Sequence, residues 1–132
     1  MYPPIIDAML NRHSMPVVNK DSVDEFLQQN ALAVLFFAED PMKYPETADV
    51  AMVLPELVRE FPGLAPALVD FDDQHALQKN FDFTAWPALA FFRDGAYRGA
   101  ITRIQNWQDY LVQIDELLNK APKLMIPAVN VE

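Results

Sequence analysis

The feature that most constrains the fold of this chain is the apolar run Leu32–Ala38, with the sequence Leu-Ala-Val-Leu-Phe-Phe-Ala. Polar and apolar residues do not alternate in it, as they do in a strand with one face in water. A strand that is apolar on both sides must be covered on both sides, as central strands of α/β sheets are. The run therefore predicts a central strand with helices on both faces of its sheet.

Further patterns precede this strand in the sequence. A short helix is predicted over 5–12 and a first strand over 16–19, followed by a second helix that begins at Ser22. Ser22 and Glu25 have the spacing of a capping box, in which each side chain accepts a hydrogen bond from the backbone N–H of the other residue. We therefore expect these two side chains to stabilise the start of the second helix.

Three more helices and three more strands are predicted after the central strand. In chain order they are a helix over 47–61, a strand over 67–71, a helix over 74–81, strands over 88–92 and 96–103, and a helix over 106–120. Asp94-Gly95 predicts a hairpin turn, and Asn106 predicts the N-cap of the last helix. The order β-α-β-α-β-α-β-β-α predicts an α/β protein with a mixed central sheet flanked by helices.

The length of 132 residues suits one domain of this kind. We expect a single domain over 1–132, with a core over about 17–118 and a short helix in front of it. The tail over 122–132 is partly apolar, and its pattern predicts neither a helix nor a strand.

The charge of the chain bears on its partners. Nineteen acidic residues against ten Lys and Arg give a net charge of −9. Nucleic-acid binding is not expected, because its affinity comes largely from basic side chains on phosphates. An acidic surface attracts basic partners and repels anionic membranes, although it also suits simple solubility. Because residues 1–12 lack the pattern of a secretory signal, we expect a cytoplasmic protein without stable membrane association.

The complete absence of cysteine limits the chemistry of the chain. Disulfides, thiol catalysis and thiolate metal sites are all excluded. The two histidines, His13 and His75, are far apart in sequence, and we expect both at surface or cap positions. Three glycines are too few and too scattered for a phosphate-binding loop, so no cofactor or metal is expected.

Catalysis without thiols has no clear constellation either. Asp70, Asp72 and Asp73 are close in sequence, but strand alternation places neighbouring side chains on different faces. Ser14 and Ser22 have no evident base to activate them. We therefore expect that the protein is not an enzyme.

Several residues nevertheless resemble those of the thioredoxin family over about 17–118. The matching features are the strand Ala33–Glu39, the helix proline Pro55, the strand-end Asp72, the cis-proline Pro87 and the hairpin glycine Gly95. The resemblance implies a thioredoxin-like fold, with Pro87 in a cis peptide bond. In thioredoxins the residue before this proline, here Trp86, offers backbone hydrogen bonds to an extended peptide.

The redox residues of that family are absent. Counting forward from the central strand places Pro41 and Tyr44 at the positions of the two cysteines, and counting back from the helix proline places Thr47 and Val50 there. The disagreement indicates about six additional residues in the loop. By the same resemblance, Leu35 stands in place of a buried aspartate and Leu68 in place of its companion lysine.

A closer resemblance is to the accessory proteins of [NiFe]-hydrogenase operons, the HyaE/HupG type. It is carried by the extended loop with Pro41, by Leu57–Pro62, by Phe92–Gly99 and by the helix start at Trp107. The resemblance implies a non-catalytic chaperone or adaptor in hydrogenase maturation. Its implied partner is the precursor of the hydrogenase small subunit, bound through its twin-arginine signal peptide before export, with other maturation proteins as further partners.

The candidate site lies around the loop that replaces the thioredoxin active site. Its residues are Glu39, Asp40, Tyr44, Glu46, Asp49, Trp86 and Pro87. The carboxylates suit an arginine-rich peptide, and the two aromatic side chains offer apolar and stacking surface. Whether the acidic loop or the groove beside Pro87 is the binding surface is open at this point.

Other interpretations of the same residues also remain. The carboxylates suit a solvated loop, and Asp49 suits the first turn of a helix. Pro87 suits a proline that is kept for the geometry of its strand. The chain as a whole suits a structural thioredoxin-like module that docks a folded partner through another face and has no role with signal peptides.

Overall fold

The computed structural model describes residues 2–120, so the predicted tail over 122–132 lies outside the described residues. The helices are α1 Pro4–His13, α2 Val23–Gln29, α3 Glu46–Glu60, α4 Gln74–Gln78 and α5 Trp107–Asn119. The strands are β1 Val17–Val18, β2 Leu32–Phe37, β3 Leu64–Val69, β4 Ala88–Arg93 and β5 Ala96–Thr102. Their order along the chain is the predicted one, and they form one mixed sheet in the order β1-β3-β2-β4-β5.

The predicted central position of β2 is confirmed. The strand is parallel to β3 and antiparallel to β4, and Leu35 lies between Ala67 on one side and Ala90 on the other. Each residue from Ala33 to Ala38 is completely buried. Because every side chain is removed from water, the strand can only be apolar.

Successive residues of β2 enter two different cores. Val34 and Phe36 pack on the face of the sheet that α1, α3 and α5 cover. Leu35 and Phe37 pack on the opposite face, beneath α2 and a group of aromatic side chains. Full burial of one such side chain stabilises the fold by about 1.5–3 kcal/mol. The strand therefore joins two hydrophobic cores that lie on either side of it.

The two positions at which the resemblance implied lost redox residues are in these cores. Leu35 and Leu68 are both completely buried. A carboxylate or an ammonium group at either position would lose its hydration, which is costly unless another group pairs with it. Leucine avoids that cost and adds to the hydrophobic core.

The predicted capping box at the start of α2 is wrong. The hydroxyl of Ser22 accepts a hydrogen bond from the backbone N–H of Asn19, and the Asn19 side chain accepts from the N–H groups of Asp21 and Ser22. The carboxylate of Glu25 instead accepts from the Gln29 side chain, one turn later. The local turn at Asn19 engages the N–H and the hydroxyl of Ser22, the two Ser22 groups that a capping box would have used. At α5 the predicted cap is present, since Asn106 accepts from the N–H of Asp109.

Strand β3 begins earlier than the predicted residue 67, because pairing with β2 extends it back to Leu64. Pro66 lies inside the strand and has no N–H to donate. The sheet accommodates it because β1 pairs only with Leu68 and Val69, which leaves Pro66 at an open edge. Helix α4 is shorter than predicted and ends at Gln78.

A β-bulge near the start of β5 lies beside the point where the sheet contacts α5. The pairing with β4 shifts between Phe91, opposite Gly99, and Phe92, opposite Tyr97. Gly99 has φ +141°, and a Cβ atom there would lie 2.7 Å from Cδ2 of Leu117 on α5. The glycine therefore permits both the backbone conformation and the close approach of the helix.

Replacement of Gly99 by alanine is expected to lower the free energy of unfolding by about 1–3 kcal/mol, because the new methyl group overpacks Leu117. Gly95→Ala is the matched control, since Gly95 has φ +82° with nothing within 4 Å of the added Cβ, and it tests backbone strain alone. Leu117→Ala in the Gly99→Ala background should recover part of the loss. Urea denaturation of these variants, of the Leu117→Ala single variant and of the unmodified protein measures this, and strictly additive losses for Gly99→Ala and Leu117→Ala would contradict the close contact.

Candidate functional site

The peptide bond between Trp86 and Pro87 is cis, as the resemblance implied, and it immediately precedes β4. The carbonyl oxygen of Pro87 accepts a hydrogen bond of 2.7 Å from the N–H of Arg103. Within residues 2–120, no hydrogen bond involves the backbone N–H or carbonyl oxygen of Trp86. Trp86 is half-buried and lies at the end of the sheet where β2 and β3 terminate.

The loop between β2 and α3 is folded on itself through Asp40. Its backbone carbonyl accepts from the N–H groups of Lys43 and Tyr44, and its side chain accepts from the N–H of Met42. The buried hydroxyl of Thr47 donates to the carbonyl of Ala38 at 2.5 Å. The two ends of the loop are thus held together.

Glu39 is the buried acidic residue of the site. Its side chain is 10% exposed, and its backbone has φ 57°, in the left-handed region. The N–H of Glu39 donates to the side-chain oxygen of Gln74 at 3.0 Å, and its Oε1 accepts from the N–H of Asp40 at 2.8 Å. Its Oε2 lies 2.5 Å from Nε2 of His75. Glu39 is therefore held by three separate hydrogen bonds.

His75 connects Glu39 to Trp86. Its ring centroid lies 4.6 Å from that of the indole, with the planes 39° apart. On its other sides the indole meets Phe37 and Phe83 edge-on, at centroid distances of 6.1 and 6.0 Å. Three rings therefore hold the Trp86 side chain in place.

Glu46, at the start of α3, is bound to the chain that follows β5. Its carboxylate accepts from the guanidinium of Arg103 at 2.8 Å and from the N–H of Ile104 at 2.8 Å. The hydrogen bond from Arg103, followed by that from Ile104, lowers the pKa of Glu46 below its ordinary value of 4.5. Because Arg103 also donates its backbone N–H to Pro87, Glu46 is linked to the cis-proline through one residue.

The structure brings only some of the predicted site residues together. Glu39, Trp86 and Pro87 form one connected group through His75. Asp49 is exposed on the first turn of α3, whereas Tyr44 is half-buried and its backbone bonds to Asp40.

Sequence reasoning did not assign Gln74 and His75 to the site. His75 is exposed, as expected, but it also pairs with Glu39. A usable signal existed, because both residues follow β3, the parallel neighbour of β2. The carboxyl ends of neighbouring parallel strands meet at one edge of a sheet. Residues after β3 therefore lie close to those after β2, which include Glu39.

No group of three or more His, Cys, Asp or Glu residues among the described residues is placed to hold a metal ion. None of the helices in the described part of the chain is long and apolar enough to cross a membrane.

Comparisons with known proteins agree on one family. Residues 5–110 match the family model described as hydrogenase-1 expression protein HyaE. The hydrogenase expression/formation protein HoxO of Azotobacter vinelandii is 39% identical over 118 residues, which cover 89% of this chain and 80% of that protein.

Two of the solved structures that resemble this chain are a protein of the same family and a thioredoxin. A protein described as hydrogenase expression/formation protein HupG, from Rhodopseudomonas palustris CGA009, is 38% identical, with a TM-score of 0.56 over 77% of this chain and 93% of that one. A variant thioredoxin from Halobacterium salinarum NRC-1 is 17% identical, with a TM-score of 0.63 over 81% of this chain and 95% of that one. The second likeness shows that the fold is thioredoxin-like.

Replacement of Glu46 by glutamine is expected to destabilise the protein at neutral pH and to have little effect in acid. The lowered pKa means that the folded state binds this proton less tightly than the unfolded chain does. The stabilisation is therefore present above pH 4.5, the ordinary value, and is lost as the pH falls through the folded-state pKa.

Thermal denaturation at pH 7 and at successively lower pH measures this difference. Asp49→Asn is the matched control, because it removes the same charge from the same helix turn and leaves the pair of Glu46 with Arg103 intact. A deficit of Glu46→Gln that is equally large at both ends of the pH range would contradict the proposed origin of the stabilisation.

Proposed function

Because the chain belongs to the HyaE family of hydrogenase expression proteins, we propose that it is a non-catalytic chaperone in [NiFe]-hydrogenase maturation. Its role in hydrogenase expression and formation is that of the family. The finer proposal is that it binds the twin-arginine signal peptide of the small-subunit precursor. Such a peptide is bound before export, which places the proposed encounter in the cytoplasm.

The observation that supports peptide binding most directly is the state of the Trp86 backbone. Its N–H and carbonyl oxygen have no hydrogen-bond partner within residues 2–120, although they lie beside the cis-proline at the end of the sheet. An extended peptide can bind such groups through its own main chain, as an added strand does. Main-chain bonds supply affinity for any extended segment, so specificity must come from neighbouring side chains.

Charge supports a basic peptide in particular. The chain carries a net charge of −9, which favours encounters with a basic segment. The carboxylate of Glu46 is already bound by Arg103, so we assign it the role of shaping the loop. Asp40 is half-buried and Asp49 is exposed, and we assign the attraction of the peptide to these two residues. Tyr44 and Trp86 offer aromatic surface to the apolar part of the signal peptide.

Isothermal titration calorimetry with a twin-arginine signal peptide tests this proposal. We expect binding that weakens when both arginines are replaced by lysine, because only a guanidinium pairs in a planar fork with carboxylates and stacks on aromatic faces. The double variant Asp40→Asn/Asp49→Asn should weaken binding roughly tenfold at low salt, and less at high salt.

The matched control is Asp115→Asn/Glu116→Gln, which removes two exposed charges from the part of α5 that adjoins Arg93, at the opposite end of the sheet from the loop. Absence of binding to either peptide at low salt and high protein concentration would refute the signal-peptide role. Equal losses in the two double variants would mean that net charge matters and the loop does not.

A second measurement addresses the non-catalytic part of the proposal. Reduction of insulin disulfides by dithiothreitol should proceed at the same rate with and without the protein, because a chain without cysteine cannot exchange thiols with a disulfide. A cysteine-containing thioredoxin serves as the positive control. Any acceleration above the dithiothreitol background would contradict a non-catalytic role.

A further inference from the structure

The side chain of His75 lies between an aromatic face and a buried carboxylate. Its Nε2 donates to Oε2 of Glu39 at 2.5 Å, and its ring lies over the indole of Trp86 at a centroid distance of 4.6 Å. These are the two contacts by which proteins hold a guanidinium group, a hydrogen bond to a carboxylate and stacking on an aromatic ring. We propose that Glu39 and Trp86 form a binding site for one arginine side chain, and that His75 fills this site in the free protein.

The carboxylate of Glu39 requires a donor at this position. Its side chain is 10% exposed, so water gives it little compensation for lost hydration. Oε1 accepts from the N–H of Asp40, whereas the donor to Oε2 is His75. A group that displaces His75 must therefore bring its own N–H to Oε2. A guanidinium carries five such donors in a planar arrangement.

His75 is much more exposed than the Glu39 carboxylate that it covers. The side chain of His75 is 60% exposed, so it can rotate into water without breaking the core. Glu39 is held independently of it, because its N–H donates to Gln74, a residue only 2% exposed. The indole of Trp86 remains packed against Phe37 and Phe83. Departure of His75 would thus uncover an aromatic face and a carboxylate together.

The site adjoins the peptide-binding groups of the proposed function, on which this inference rests. Trp86 contributes its backbone to the groove and its ring to the arginine site. Successive side chains of an extended peptide point to opposite sides, so one of two consecutive arginines would face the indole. Lysine has no planar group to stack on the ring, and the site would therefore favour arginine.

A short acetylated Arg-Arg peptide amide, compared with its Lys-Lys counterpart, tests the site without the rest of a signal peptide. Trp107→Phe makes Trp86 the only tryptophan, so its fluorescence reports binding. In this background His75→Ala should bind the Arg-Arg peptide about tenfold more tightly. The peptide can bind only those molecules whose site is empty, and His75 keeps that fraction small in the unmodified protein. Glu39→Gln added to His75→Ala should abolish that gain. His13→Ala, at the distant end of α1, should leave the affinity unchanged.

Tighter binding of the Arg-Arg peptide alone supports the inference. Unchanged or weaker binding by His75→Ala, or an equal gain for the Lys-Lys peptide, would overturn it. A measurement on the unmodified protein covers the case in which the variant does not fold. Peptide binding should move the NMR signals of the His75 ring protons downfield, because they leave the shielding face of the indole. Binding that leaves these signals in place would also overturn the inference.

The outcomes also separate this inference from the proposed function. Binding of a full signal peptide without movement of His75 would retain the function and refute the arginine site. Binding of the short Arg-Arg peptide by His75→Ala, with no binding of any signal peptide, would retain the site and refute the function.

Discussion

Burial of β2 on both faces is the constraint on which the rest of this structure depends. The strand is paired on both edges and covered on both faces, so its side chains link the two hydrophobic cores. Its carboxyl end emerges beside that of β3 and beside the segment that enters β4. Glu39 follows directly, and its left-handed backbone turns the chain out of the sheet. The candidate site is therefore placed by the same strand that organises the core.

The loop that follows β2 has the position of a thioredoxin active site and a different construction. Its ends are joined by the hydrogen bond between Thr47 and Ala38, and Asp40 folds its middle. Glu39 and Glu46 lie at the two ends of the loop. His75 contacts both Glu39 and the ring of Trp86, and Arg103 bonds to both Glu46 and the carbonyl of Pro87. A segment without thiols is thus kept ordered by ion pairs and hydrogen bonds, next to backbone groups of Trp86 that have no hydrogen-bond partner within residues 2–120.

The sequence predicted regular elements better than local side-chain bonding. The apolar run that became β2 was recognised because burial imposes composition, and the hairpin over β4 and β5 was recognised from its Asp94-Gly95 turn. The capping box at Ser22 was wrong because Asn19 offers a competing set of hydrogen bonds. His75 was missed because its partners are 36 and 11 positions away in the sequence, at Glu39 and Trp86. No local pattern reports contacts of that separation.

By itself the sequence determined the α/β fold class, the order of the elements and the exclusion of thiol chemistry, because these follow from periodicity and composition. It also indicated the loop after β2 as the candidate site. Only the tertiary structure decided which acidic residues of that loop are engaged and which remain available. Glu39 is paired with His75 and Glu46 with Arg103, whereas Asp49 is exposed. The physical reason is that pairing depends on distances between strands and loops that meet only when the sheet is assembled.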